Sequence, residues 1–600
     1  MLNQQYMRIL YVNLETEKIS VEHRPDLVQY LGGVGIATKL FHENLRTDLD
    51  PKDPAQPIVF AIGAGAYLFP VLTKTVAVFI SPLTGELGES YGGGRSAMAL
   101  LHAGYDALVI TGKAKKQSYL AISDNSVHVR DARAMWGQEI GDVGRNIRDR
   151  EHVDGKAAGK RSIIRIGPAG ENGVAYACAC VDTYRHFGRL GLGAVMGAKY
   201  LKAISIVGNR PLPIANQKEY FKVYRDIYAQ CTSTDMMAKY HDAGTPINIL
   251  PLNQAGALPS YNLQAGSFAE AEAISGEAFA KKNLVRKLAC AGCPVGCIHI
   301  GMYRREFDKG HEYEAISVTY DYELIYALGT FIGVKTTDEI IALIEEVEEY
   351  GLDAMSAGVC LGWATEALEK GLITTEDTIV DLKWGDSAAY SEAIKYLSLG
   401  VNKFYQRLGK GSRYAASRYG GEDFAMQVAG NEMAGYHTGY GSLIGAAVGA
   451  RHSHLCNGGY AIDQTMKEFD KEDMLDKLLA EEIERCMTNS LVLCLFARKI
   501  YKHEVITQAL NSIGWNLTSE DLTEIGKRIY QLKLQVKKDL GFEQKSVKLP
   551  RRFFQTPSMH GVLDEDVAND LIVSYSKRTD ELVKEELTLD EADQLKYMKN

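Results

Sequence analysis

Hydrophobic positions along the chain fall into two textures. Over the first 210 residues they form short Val/Ile-rich runs bounded by turn residues. The runs "RILYVNLET", "KISVEHR", "PIVFAIG", "TVAVFIS", "DALVITG", "SYLAISD", "SVHVRDA" and "RSIIRIG" predict strands. "YLKAISIVGNRPLPIAN" predicts a last strand with a Pro-marked exit, which places a boundary near residue 212. From about residue 216, apolar residues recur at helical spacing in "KEYFKVYRDIYAQC", "TDEIIALIEEVEEYG" and "AMSAGVCLGWATEALEKG". A second helical region starts near 428 and ends in the charged "SKRTDELVKEELTLDEADQLKYMKN". The pattern predicts an α+β chain, with a β-rich domain over 1–212 and two mainly helical domains over 213–427 and 428–600.

Composition narrows the function class. Apolar content of 46%, charged content of 24% and a length of 600 residues are those of a globular protein with large cores. A net charge of -9 argues against nucleic acid as a partner. The N-terminus has no basic region leading into an apolar core, so no signal peptide is expected. The most apolar stretch, "PIVFAIGAGAYLFPVL" at 57–72, is short and broken by Gly and Pro, and reads as buried strands and turns without membrane insertion. A cytoplasmic location follows as an expectation. Ten cysteines then suggest reduced thiols or metal ligands before disulfides. Cys178 and Cys180 lie in the strand-like "VAYACACVDTY", and Cys231, Cys360 and Cys486 in helix-like stretches, so these five are assigned to structure. The Gly-rich "YLGGVGIATK", "AIGAGAYLF" and "GRLGLGAVMG" do not follow the order of a dinucleotide or Walker-type phosphate site.

The strongest chemical signal is "LACAGCPVGCIHIG", with Cys290, Cys293 and Cys297 in C-x-x-C-x-x-x-C spacing. Zinc ribbons pair one C-x-x-C with a second close pair, which is absent here, and His299 is awkwardly placed for a tetrahedral site. An iron–sulfur cluster with a distant fourth thiolate fits better. Cys456 and Cys494 both remain candidates for that ligand, and spacing does not choose between them.

"CAGCPVGC", followed far downstream by "NSLVLCLF", resembles the tungsten-dependent aldehyde ferredoxin oxidoreductase family. "SPLTGELGESYGGGRSAMALLHAGYDALVITGKA", "RIGPAGENG", "GRLGLGAVMGAKYLKAI" and "YELIYALGTFIGV" extend the likeness along nearly the whole chain. In that family a late Cys closing D-x-x-G-L-C completes a [4Fe–4S] site. Here the motif reads Asn489-Ser490-Leu491-Val492-Leu493-Cys494, which makes Cys494 the implied fourth ligand.

The resemblance further implies tungsten (or molybdenum) held by two molybdopterins whose phosphates share a Mg²⁺. The first pterin motif, D-x-x-G-L-D, corresponds to Glu348-Glu349-Tyr350-Gly351-Leu352-Asp353. A carboxylate suits the paired donors of a pterin edge. The second motif, with Leu493, departs from the family: Asn489 removes a charge and Val492 replaces a Gly. The implied phosphate and Mg²⁺ contacts are Tyr91-Gly92 and Arg185-His186, with Lys74 where the family carries an Arg.

The implied acid/base groups are a Glu in a Y-E pair and a His. Counting back from the first pterin motif selects Glu323 over Glu314, which falls in an apparent insertion after the cysteine run. His454 matches the family His, and His452 is offset by two. Such a site would oxidise a small aldehyde to a carboxylic acid, with electrons leaving through the cluster to ferredoxin or an iron–sulfur subunit. Lys281, Lys282, Arg286 and Lys287 precede the first cluster cysteine as a basic patch in an acidic chain. A homodimer or larger complex is compatible with the likeness. The helix "IIALIEEVEEYG" lacks the E-x-x-H of an interface iron, so none is expected. The alternatives are a reductive member resembling benzoyl-CoA reductase subunits, and a noncatalytic iron–sulfur or zinc subunit.

Overall fold

Twelve strands before residue 207 form two six-stranded sheets in a computed structural model that describes residues 6–151, 159–585 and 597–598. The last part of the charged terminal stretch, 586–596 and 599–600, lies outside the described residues. The first sheet runs β2-β1-β6-β3-β4-β5, from β1 (Met7–Asn13), β2 (Ile19–Arg24), β3 (Ile58–Ile62), β4 (Thr75–Ile80), β5 (Leu87–Gly92) and β6 (Ala107–Thr111). The second runs β11-β10-β9-β12-β7-β8, from β7 (Ser118–Ile122), β8 (Val127–Asp131), β9 (Ser162–Arg165), β10 (Ala179–Val181), β11 (Arg185–Phe187) and β12 (Leu201–Ile206).

Alternation along β3 explains how the layers stack. Ile58, Phe60 and Ile62 pack with Ile164, Val181 and Ile204 of the second sheet. Val59 and Ala61 face the opposite way, toward Ile36 and Leu40 of the helix Gly33–Asn44 and Ile525 and Ile529 of the helix Ser519–Asp539. The first sheet is therefore covered on both faces, which is why its central strands read as unbroken apolar runs.

The helical reading after residue 216 misses a three-stranded sheet, β13 (Leu284–Leu288), β14 (Ile298–Glu306) and β15 (Tyr313–Tyr320). The segment with Glu314, read from the sequence as an apparent insertion, lies in the β14–β15 hairpin, and the cysteine run is the loop between β13 and β14. β5 was also unreadable as a strand, because its "LGESYG" carries Gly88 and a buried Glu89. Among the described residues, no helix is long and apolar enough to cross a membrane.

Candidate functional site

The second motif is seated on glycines. A Cβ at Gly63 would fall 2.0 Å from the Leu491 carbonyl oxygen, and one at Gly33 would fall 2.5 Å from that of Asn489. Leu493 bridges to Leu72, and the Cys494 N–H donates to Val71 O at 3.3 Å. Two of the Gly-rich segments that carry no nucleotide pattern thus serve close backbone approach. Val492 takes the left-handed conformation (φ 50°) at the motif's Gly position, whereas Gly351 does so in the first motif (φ 78°). A β-branched residue there carries about 1–2 kcal/mol of backbone strain.

This seating carries Cys494 to the cysteine loop. Val71 N–H reaches Gly292 O at 3.3 Å, and Cys293 N–H closes a turn on Cys290 O at 3.0 Å. All four cysteines are half-buried and free. Burial pushes Cys297 up to about 12, reinforced by Cys494 and Cys290 and opposed by Arg185 and Lys74. Burial likewise raises Cys293, with Cys494, Cys297 and Cys290 adding to it. The four thiols and two cations therefore occupy one electrostatic neighbourhood. No three His, Cys, Asp or Glu side chains among the described residues form a group that could hold a metal ion. Cluster thiolates bind separate irons and stand farther apart than the ligands of a single zinc. His299 turns away, its Nε2 2.9 Å from His241 O.

Arg185 and His186 lie on β11, beside the cysteines and the first motif. Arg185 Nε is buried without a hydrogen-bond partner. Burial works against its cation, but Cys290, Cys297, Asp321 and Cys494 outweigh that and raise its pKa. A Cβ on Gly93, next to Tyr91-Gly92, would fall 2.8 Å from Cys290 Sγ. Lys74 directly precedes β4.

The first motif is the end of one helix and the start of the next. Thr337–Tyr350 stops at Gly351, whose N–H returns to Glu348 O, and Asp353 caps Ala354–Glu369 by accepting from Met355 N–H at 3.0 Å. Leu352 bridges to Ala177, fixing the motif against the second sheet. Glu348 Oε1 accepts from Thr319 Oγ1 at 3.2 Å and lies 3.7 Å from His186 Nε2. Burial pushes Glu348 up to about 8 and, with Arg185 and Arg165, His186 down to about 3. Both shifts favour the neutral form of the group.

Glu323, in the first turn of Tyr322–Leu328, meets His454 from the C-terminal part of the chain. His454 Nε2 lies 3.2 Å from Glu323 Oε1. The contact closes no hydrogen bond, which leaves Glu323 Oε1 buried without a partner, and the other ring nitrogen, His454 Nδ1, is likewise buried without one. Gly435 N–H donates to Glu323 Oε2 at 3.1 Å. Tyr436 packs 5.4 Å from the His454 ring and stacks on Tyr460 at 4.4 Å. Glu314 sits elsewhere, on the exposed hairpin, 2.6 Å from Arg305.

A buried charge layer escaped the sequence reading. Lys533 pairs with Glu89 at 2.5 Å, and Lys537 with Glu86 at 2.6 Å. His452 Nε2 also reaches Glu86 at 2.8 Å, and Tyr91 OH donates to Glu89. The layer ties the Tyr91 strand to the loop bearing His454. One signal was available: Lys533 and Lys537 occupy the apolar stripe Leu522, Ile525, Ile529, Val536 of their helix.

The structure thus holds a four-thiol neighbourhood and a buried carboxylate–imidazole contact. Residues 9–208 match the family described as "Aldehyde ferredoxin oxidoreductase, N-terminal domain", and residues 222–583 match "Aldehyde ferredoxin oxidoreductase, domains 2 & 3". The chain belongs to the aldehyde ferredoxin oxidoreductase family. It is 31% identical over 587 residues to the tungsten-containing aldehyde ferredoxin oxidoreductase of Pyrococcus furiosus, covering 92% of each chain. It is also 30% identical over 545 residues to the aliphatic sulfonate oxidoreductase, WOR-like subunit, of the same organism, covering 88% of this chain and 85% of that one. A solved structure of the active site complex BamBC of benzoyl coenzyme A reductase with 1,5-dienoyl-CoA shares the fold, with a TM-score of 0.79 at 19% identity over 96% of this chain and 94% of that one.

Proposed function

We propose that the protein oxidises a small aldehyde to the carboxylic acid. In this reading a tungsten (or molybdenum) bis-molybdopterin is held between the motifs ending at Asp353 and Cys494. A [4Fe–4S] cluster is held by Cys290, Cys293, Cys297 and Cys494. Tyr91-Gly92 and Arg185-His186 would hold Mg²⁺ and the pterin phosphates, with the Lys74 charge as a further contact. The residues suit such groups, since Arg185 Nε is a buried cation without a partner and Gly93 leaves room beside Cys290. When bound, the metal centre supplies the two-electron oxidation and polarises the carbonyl.

The protein's own part is proton handling. Aldehyde and water give the acid, two protons and two electrons. Glu323 takes a proton from water in its deprotonated form, which gains population as pH rises toward its pKa of about 8. His454, neutral at that pH, hydrogen-bonds the substrate oxygen and passes the proton onward. The single observation that carries the reading is the Glu323–His454 contact, with one unpaired polar atom on each side. The electrons pass one at a time to ferredoxin or a similar iron–sulfur carrier.

The test is metal analysis of anaerobically purified protein together with aldehyde-dependent viologen reduction. Tungsten or molybdenum with stoichiometric iron and aldehyde-driven turnover is expected. Fully loaded protein that reduces no viologen with any short aliphatic or aromatic aldehyde would overturn the proposal.

A further inference from the structure

Arg189 follows β11 and lines the same cavity as His454 and Tyr436. One edge of its guanidinium is fixed: Nε donates to Asp353 Oδ2 at 3.1 Å, and Nη2 donates to Glu432 O at 2.9 Å and to Ser356 Oγ at 3.4 Å. Its third nitrogen, Nη1, makes none of these bonds. The side chain is only 16% exposed, so this is a partly desolvated cation with hydrogen-bonding capacity in reserve.

The rest of the wall sharpens the point. Val428, Met433, Leu443 and Phe553 make much of it apolar. Two lining histidines are already engaged, His437 Nε2 with Thr556 O at 2.9 Å and His452 Nε2 with Glu86 Oε1 at 2.8 Å. Among the lining side chains, His454 (Nδ1) and Asn431 (Oδ1) carry buried polar atoms without a partner, in the same wall as Arg189. Asp353 balances part of the Arg189 charge, but Glu323 holds its proton at neutral pH and adds no anion. A fixed guanidinium edge in an apolar chamber favours carboxylate over neutral oxygen ligands, because the charge-assisted bond forms out of water.

We propose that Arg189 orients the substrate: its Nη1 receives the aldehyde oxygen and then the product carboxylate. This rests on the aldehyde-oxidising reading. Binding at Arg189 is tested separately from turnover, by calorimetric titration of the loaded enzyme with butyrate and with the neutral butyramide.

Arg189→Met should weaken butyrate about 10- to 100-fold, as for loss of a hydrogen bond to a charged group, and leave butyramide within about threefold. Arg189→Lys should fall between, and tungsten content should not change. Unchanged butyrate affinity in Arg189→Met overturns the assignment. Parallel loss of metal and butyrate binding in both variants also overturns it, because Arg189 would then serve only to hold Asp353. If butyrate binding depends on Arg189 but no aldehyde is oxidised, the carboxylate site stands and the aldehyde reading fails. If aldehydes are oxidised and butyrate ignores Arg189, the reverse holds.

Discussion

His454 Nε2 and Glu323 Oε1 stand 3.2 Å apart, yet they are not a charged pair. Burial pushes Glu323 up to about 8, with Asp321 adding to it. Burial, together with Arg189, Arg451 and Arg485, pushes His454 down to about 3. At neutral pH the two are a carboxylic acid beside a neutral imidazole, with one proton between them to move. That state suits proton exchange with a substrate better than a locked ion pair would.

Removing either group should therefore disable chemistry without emptying the site. Glu323→Gln and His454→Asn are each expected to lower kcat for aldehyde oxidation roughly 10²–10⁴-fold, with tungsten and iron content unchanged. Glu314→Gln, in an exposed ion pair with Arg305, should leave kcat intact. The sign of the pH effect follows from the raised carboxyl: the basic form is present above about 8 and lost as pH falls through it. Wild-type kcat/KM should climb between about pH 6 and 8, and the climb should vanish in Glu323→Gln.

The proposed fourth cluster ligand gives a sharper contrast. Cys494 shares the electrostatic field of Cys293 and Cys297. Cys456 instead lies buried among Glu482, Arg451 and Glu89. Cys494→Ser should lower iron content and alter the low-temperature EPR signal, and Cys456→Ser should change neither. A normal cluster in the Cys494 variant would remove it from the ligand set.

How much of this was legible depends on the physics behind each signal. Strands such as Ile58–Ile62 and Thr75–Ile80 were readable because both faces are buried and the runs are continuously apolar. The hairpin of β14 and β15 was not, since its outer half is exposed and polar. The cysteine spacing at Cys290–Cys297 was readable because it is local, whereas the segment Glu348–Asp353 was singled out only through the family resemblance. The charge layer of Glu86, Glu89, Lys533 and Lys537 joins residues more than 400 positions apart in the chain, and no local pattern reveals such a pairing. Arg189 was missed for the same reason, because its partners Asp353 and Glu432 are remote in sequence.

The glycine seat of the second motif should be intolerant of even one methyl group. A Cβ at Gly63 would overlap the Leu491 carbonyl, backbone on backbone, where no flexible side chain can yield. Gly63→Ala should displace the loop through Cys494 and cost several kcal/mol, about the size of other severe core clashes. Thermal melting and iron content measure this together. Gly159→Ala, with none of the described residues within 4 Å of the added methyl, is the control expected to match wild type.

Electron exit is the last point at which the surface makes a prediction. Lys281 and Lys282 end the helix Gly276–Lys282, and Arg286 follows on β13, all exposed, just before the cysteine loop. Lys287 is partly tied to Asp242 at 3.5 Å, so the three outer cations dominate the patch. In a chain of net charge -9, a positive patch at the end of β13 opposite the cysteine loop would steer an acidic electron carrier toward this face. Such fields fade beyond a Debye length of roughly 10 Å at 0.1 M salt. Charge reversal at Lys281 and Lys282 should therefore slow reduction of ferredoxin several-fold at low salt and flatten the salt dependence. Turnover with a small neutral acceptor should stay at the wild-type rate, because diffusion of that acceptor feels no steering. Equal losses with both acceptors would show that the two lysines support the local fold, and the steering role would then be abandoned.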